Sequence, residues 1–266
     1  MIDSIELAKK IRITSVEMVY RAHASHLAGA LSMADILAVL YANILHYDSK
    51  NPKDPLRDRL LLSKGHTCVA LYAVLAHTGF YPLNTLDSYG QDGSIVLCHV
   101  TDKLPGVEIS SGSLGHGLPI ASGIAYGAKV QKQNFRTYVI LGDGEMDEGS
   151  NWEAFLFGAH HKLDNLCVII DYNKMQAMGN NADILNLEPL KAKLEAFNWN
   201  AIEIDGNDHE QLRTAFKNAN ETKGKPSVII ANTIKGKGIS FMEHQLKWHY
   251  SSPNEEQYKE AMEELR

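Results

Sequence analysis

The sequence predicts an α/β protein, a single three-layer domain whose mostly parallel sheet is covered by helices. Three observations carry this. From residue 119 onward, short β-branched runs (TYVILGD, NLCVIIDYN, NAIEIDG, PSVIIANT) alternate with helical patterns, as in parallel sheets buried on both faces. The 266 residues are 44% hydrophobic, enough for one large core, and carry too little charge for a disordered chain. No internal repeat, low-complexity tract or interdomain linker divides them, so residues 1–266 read as one domain.

Taken in order, residues 3–27 place Ile5, Ala8, Ile11, Ile13, Val16, Val19 and Tyr20 at three- and four-residue spacings, which predicts a long helix. Ser32 is expected to cap a second helix over MADILAVLYANIL, whose apolar stripe runs through Ile36, Leu37, Leu40, Tyr41, Ile44 and Leu45. A polar, proline-bearing loop (48–59) precedes a short apolar run at Arg59–Leu62 and a helix through Cys68–His77 that Gly79 stops. Residues 82–118 are rich in Gly, Ser, Pro and His without periodicity, and so long a stretch in a compact chain is usually functional or disordered. Helices over Pro119–Gln131, Asn151–Lys162, Glu188–Phe197 and Glu210–Asn220 then lead into the four strands in turn.

Composition excludes several classes of function. A net charge of −6 argues against general nucleic-acid binding. Three cysteines without a CxxC pair argue against a disulfide framework or zinc site and fit a reducing cytoplasm. No run approaches the roughly 18 apolar residues of a membrane span, and MIDSIELAKKIRIT lacks the apolar core of a signal peptide. Histidine stands out at 12 residues, because its side chain is the one best suited to proton traffic near neutral pH.

Ligands of parallel α/β sheets sit beyond the carboxyl ends of the strands. Two strands deliver oxygen ligands to that edge: TYVILGDG ends in Gly142-Asp143-Gly144, and NLCVIIDYN ends in Asn173. The glycines allow a sharp turn and close approach to a phosphate, and a helix starting near Gly149 points its free N–H groups the same way. A carboxylate, an amide oxygen and a backbone carbonyl make a hard oxygen site suited to Mg²⁺ or Ca²⁺, with a diphosphate supplying further oxygens. GDG alone is a weak signal; Asn173, one βαβ unit downstream, makes it specific. The Lys235-Gly236-Lys237-Gly238 stretch reads equally as two cations beside a diphosphate or as a solvated turn.

GDGEMDEGSNWEAFLFGAHHKLDNLCVIIDYNKMQ resembles the GDG…N thiamine diphosphate fingerprint. It is most similar to transketolases, specifically to the N-terminal component of a transketolase encoded in two pieces. The resemblance runs over nearly the whole chain. ASHLAGALSMADILAVLY is similar to the family's SGHPGxxxGMA segment, with Ser25 and Leu27 in place of glycine and proline; DRLLLSKGH to DRFxLSxGH; and LPGVEISSGSLGHGL to LPGVExxTGxLGQG, with His116 in place of glutamine. It implies the diphosphate-binding (PP-type) fold. It also implies Asp143, Asn173 and the carbonyl of Met175 as ligands to Mg²⁺ or Ca²⁺. Gly142, Gly144, Gly112, Leu114 and His66 would lie against thiamine diphosphate, and Glu148 beside the cofactor at a subunit contact. His26, His66, His99 and His249 would line the substrate channel, where proton transfer and recognition of sugar hydroxyls need imidazoles titrating near pH 7.

The implied activity is transfer of a two-carbon ketol unit from a ketose, phosphorylated or not, to an aldose, phosphorylated or not, carried as an enamine on the cofactor, as in pentose phosphate metabolism. The family's pyrimidine-binding and C-terminal domains have no counterpart in the sequence. The expectation is therefore a cytoplasmic, split enzyme, completed by a C-terminal, pyrimidine-domain transketolase subunit in an α2β2 heterotetramer. Two other readings stay open: an E1α-like subunit of a 2-oxoacid dehydrogenase, which carries a similar GDG…N pair, and a catalytically silent cofactor-binding subunit. The LPGVE segment and the histidine set favour transketolase over the first. His23, His46, His77, His160, His161 and His209 read as structural, while His116 and His244 are undecided.

Overall fold

The structure, a computed structural model, describes residues 2–266. Along the chain run α1 (Ser4–Ala22), α2 (Leu27–Ser32), α3 (Ala34–Val39), β1 (Arg59–Leu62), α4 (Cys68–His77), α5 (Gly117–Val130), β2 (Thr137–Gly142), α6 (Gly149–His160), β3 (Leu166–Tyr172), α7 (Asn181–Ile184), α8 (Leu190–Ala196), β4 (Asn200–Asp205), α9 (His209–Glu221), β5 (Ser227–Asn232) and α10 (Glu255–Leu265). The five strands pair in the order β1-β2-β3-β5-β4, all parallel. Side chains alternate across the sheet, and two cores result. Leu60, Leu62, Tyr138, Ile140, Cys167, Ile169 and Ile229 face α1–α4, α9 and α10. Leu61, Val139, Leu141, Val168, Ile170, Val228 and Ile230 face α5, α6 and α8. The predicted three layers are thus present.

Topology places the ligand-binding edge. After β2 and β3 the chain crosses on the α6/α8 face, but after β4 it returns by α9 on the opposite face to lay β5 beside β3. Right-handed crossovers require that change of face when the direction of travel reverses. The turns leaving β3 and β5 therefore diverge, and a crevice opens between them at the carboxyl edge.

Three expectations are corrected. The first helix ends at Ala22, because His23 takes a left-handed conformation (φ 49°) and its N–H closes onto Tyr20. Ser32 does not cap the next helix. It ends α2, and its hydroxyl contacts Gly29 O at 3.0 Å and Asp171 Oδ2 at 2.5 Å. The hydroxyl is thus turned toward a buried carboxylate and the Gly29 carbonyl, not toward the first N–H groups of α3. Strand β4 is not buried on both faces: it is the sheet edge, half-exposed along its length. Helix α10 has no counterpart among the expected elements, although Asn254 and Gln257 form a capping box at its start and Tyr258 stacks on Tyr20 of α1 at 4.1 Å.

The aperiodic stretch 82–118 is ordered by a few buried anchors, among them Leu86, Tyr89, Val96, Val100 and Leu104. Its turn at His99 is pinned by Tyr72 of α4, whose hydroxyl donates to His99 O (2.7 Å) and accepts from Thr101 N–H (3.1 Å). No helix among the described residues is long and apolar enough to cross a membrane.

Candidate active site

A cavity of about 420 Å³ opens at the carboxyl edge of the sheet, within the size range of small-molecule sites. Its floor is made where strands end. Asp143 follows β2 and is 3% exposed. One carboxylate oxygen accepts from Gly144 N–H (2.8 Å) and the other from Lys174 N–H (2.5 Å). Burial and the nearby Asp171 carboxylate push its pKa up to about 6. Asn173 follows β3; its Oδ1 accepts from Met175 N–H at 3.2 Å. The Met175 carbonyl accepts from the Lys235 ammonium at 3.0 Å. Neither Gly142 nor Gly144 adopts a positive φ. What Gly144 requires is room, since a Cβ there would lie 2.9 Å from Gln176 Cγ.

Four histidines form the wall above. Ring centroids of His26 lie 4.9 Å from His66, 5.0 Å from His249 and 6.4 Å from His99, and the His66 and His249 rings are 5.8 Å apart. They arrive from four separate segments. His26 sits at φ 68° ahead of α2, with its N–H donated to His249 O at 2.9 Å. His66 belongs to the turn after β1, where Gly65 packs so close to Ser111 that a Cβ would lie 2.2 Å from its carbonyl oxygen. His66 and His249 do not titrate near 7 as expected. Burial first, then Lys64 and the other histidines, brings His66 down to about 2. Burial and Lys235 bring His249 to about 3. Burial, His99 and Lys235 also lower His26. These three rings are neutral hydrogen-bonding groups at pH 7.

Of the residues singled out from the sequence, His26, His66, His99, His249, Gly112, Leu114, Gly142, Asp143, Gly144, Asn173 and Met175 all line this cavity. Glu148 lies outside it, exposed at the start of α6 beside Gly115. The KGKG stretch divides. Lys235 is 2% exposed and reaches Met175 O, Gln176 O and His249 Nδ1, whereas Lys237 points away and pairs with Glu243. Burial lowers Lys235 to about 8. His116 is exposed at the start of α5, and His244 lines a neighbouring hollow. The histidines read as structural include His77, held by Thr14 at 2.9 Å, and His209, held by Ser4 and Asp35.

Several site residues were not legible in the sequence. Asp171, fully buried at the end of β3, accepts from the Lys64 ammonium, the Thr233 hydroxyl and Asn173 Nδ2. An acid closing an apolar strand (CVIID) was the available signal. Glu145, 2% exposed, ties three segments to the cavity floor, accepting from the Ser63 hydroxyl, Gly115 N–H (2.9 Å) and Gly142 N–H (3.1 Å). Asn181, 3% exposed and lying against the Asp143 carboxyl, has both amide atoms without a hydrogen-bond partner.

Residues 4–265 match the family described as "Transketolase, thiamine diphosphate binding domain". The chain is 41% identical over 265 residues to a subunit of the apulose-4-phosphate transketolase of Phocaeicola vulgatus, a match that covers 99% of this chain and 94% of that protein. It is also 41% identical to the 6-deoxy-6-sulfo-D-fructose transketolase subunit SqwG of a Clostridium species, over 99% of this chain and 96% of that protein. Among solved structures, transketolase from Campylobacter jejuni superposes with a TM-score of 0.93 at 34% identity, covering all of this chain but only 43% of the other. The chain thus spans less than half of that transketolase and nearly all of the two subunits.

Proposed function

The chain belongs to the transketolase family, and from that premise we propose that it is the diphosphate- and metal-binding subunit of a two-component transketolase. The observation that carries this is one cavity with a hard oxygen floor (Asp143, Asn173 and the Met175 carbonyl) beneath a four-histidine wall.

The residues fit the implied groups. A carboxylate, an amide oxygen and a backbone carbonyl suit Mg²⁺ or Ca²⁺ better than a soft ion. The Met175 carbonyl already faces a cation, the Lys235 ammonium. The unpartnered Asn181 amide beside Asp143 is a polar group of the kind a metal's water shell satisfies. Gly144 leaves the backbone bare where a diphosphate comes close, and Lys64 and Lys235 supply positive charge. Gly112 and Leu114 line the same space, so a thiazolium ring would lie between them and the histidines. Bound there, thiamine diphosphate supplies the electron sink that breaking a carbon–carbon bond beside a ketone requires.

The chain's own residues do the rest. Neutral imidazoles of His26, His66 and His249, with His99 opposite, accept from and donate to the hydroxyls of a ketose. Burial is the main reason these imidazoles are neutral, and an anion bound against Lys64 and Lys235 offsets only the smaller part that the two ammonium charges add, moving the rings toward proton exchange. The partner would be a C-terminal, pyrimidine-domain subunit joined in an α2β2 assembly. The relatives named as subunits, which this chain matches almost end to end, support that reading. The substrates in their names, a ketose phosphate and a sulfonated ketose, support a ketose donor with an anionic tail for this chain too.

The test is an assay of the assembled complex with thiamine diphosphate and Mg²⁺ against a panel of ketose donors and 2-oxo acids. Ketol transfer to an aldose without 2-oxo acid decarboxylation is the expected result. Decarboxylation without ketol transfer would replace this reading with the dehydrogenase one.

A further inference from the structure

We propose that His26, His66 and His249 form a second metal site, separate from the oxygen floor, which takes a transition ion of the Zn²⁺ type and closes the channel when filled. One ligand atom from each of the three residues lies within 4.8 Å of the other two. Tetrahedral zinc with Zn–N bonds of about 2.0–2.1 Å sets its ligands roughly 3.4 Å apart. Closure of the cup would draw the three ligand atoms together from their present separation to that spacing.

Two further observations point to a ligand. His26 Nδ1 is buried with no hydrogen-bond partner, an orphan that native interiors rarely leave unexplained. The cup is also preformed in the backbone. His26 N–H is bonded to His249 O at 2.9 Å, and the His66 turn is wedged against Ser111. Ligands held by backbone in this way lose little freedom when a metal arrives.

The donor chemistry sorts ions between the two sites. Three imidazoles select Zn²⁺, Co²⁺ or Cu²⁺, whereas the Asp143 floor, made of oxygens, selects Mg²⁺ or Ca²⁺. Lys235 lies 3.2 Å from His249 Nδ1, and its ammonium must release that nitrogen before His249 binds a metal, because a ring that accepts at Nδ1 carries its proton on Nε2. Lys64 and Lys235 oppose a dication nearby, and Asp143 and Asp171 offset them. With three protein ligands the fourth position stays open to water or a small anion. Metal binding stands on this geometry alone, whereas channel closure rests on the function proposed above.

Co²⁺, a visible-absorbing stand-in for Zn²⁺, is titrated into the full chain with excess Mg²⁺ keeping the oxygen floor occupied. The expected result is a four-coordinate Co²⁺ band that saturates at one ion per chain and disappears on adding Zn²⁺. His26→Ala and His249→Gln should each weaken binding by more than about tenfold, since even outer-shell changes cost about 10- to 100-fold. Asp143→Ala should leave the band in place. A band that survives both histidine substitutions, or that vanishes in Asp143→Ala, overturns the site. Should the variants fail to fold, X-ray absorption at the zinc edge of the wild-type chain decides: three imidazole ligands support the site, and an oxygen-only shell overturns it. In the assembled enzyme, Zn²⁺ should inhibit ketol transfer competitively with the ketose and reversibly on chelation. Stoichiometric Co²⁺ binding without inhibition would overturn channel closure while leaving the metal site intact.

Discussion

Asp143 is the only carboxylate among the three oxygen groups proposed to hold the metal, and it is already desolvated at 3% exposure. Replacing it with Ala removes the one anionic ligand, and interactions with a charged partner are worth about 1.5–3 kcal/mol. Calorimetry on the assembled complex should therefore show Mg²⁺-dependent thiamine diphosphate affinity falling by at least about tenfold. His66→Ala and His99→Ala should act differently, lowering turnover by roughly 10²–10⁴ while cofactor affinity changes less. A third expectation concerns protonation. With His66 lowered to about 2 and His249 to about 3, their ring NMR signals in the ligand-free chain should stay flat between pH 8 and 5. A titration midpoint near 6.5 for either ring would contradict that assignment. At this scale the sequence disclosed what local motifs carry: Asp143, Asn173 and the histidines. It did not disclose Asp171, Lys64 or Glu145, whose partners come from other strands and loops. Such pairings exist only once strand order brings those ends together.

Among the elements, the helical layer on the α1 side is tied together by a polar knot inside an apolar core. Asp35 of α3 receives two bonds from Arg12 of α1 (3.0 and 2.6 Å), one from Asn207 (2.8 Å) and one from His209 of α9 (3.1 Å). Burial alone would raise the Asp35 carboxyl, but His209, Arg12 and Asn207 prevail and hold it at about 2 against an ordinary 3.8. A depressed carboxyl stabilises the fold above its unfolded pKa, and that contribution is lost as pH falls through the folded value. About 2 kcal/mol should therefore disappear between pH 4 and pH 2. Asp35→Asn, which leaves Arg12 without its buried counter-charge, should cost about 3 kcal/mol at neutral pH. Urea melts of both proteins should show this gap narrowing below pH 4. Gly65→Ala drives a Cβ to 2.2 Å from Ser111 O and should cost about 1–3 kcal/mol while disordering the His66 turn. The helix boundaries missed from the sequence have the same origin as the missed residues. Ser32 carries a capping residue's chemistry but spends it on Asp171, and only the folded sheet puts that carboxylate within reach.

At the scale of the whole molecule, the fold class was readable because apolar strand runs and their order need no tertiary information. The direction of the β4–β5 return, which opens the crevice, did need it. On the function proposed above, the groups assembled in that crevice serve the diphosphate end of the cofactor and the binding of substrate hydroxyls. This half of the site should therefore work only when a pyrimidine-domain subunit completes it. The decisive experiment is thiamine diphosphate- and Mg²⁺-dependent ketol transfer by the purified chain, alone and titrated with that co-expressed subunit. No turnover is expected from the chain alone, and activity should rise with added partner until it saturates at one per chain. Full ketol transfer by the chain without a partner would refute the two-component reading.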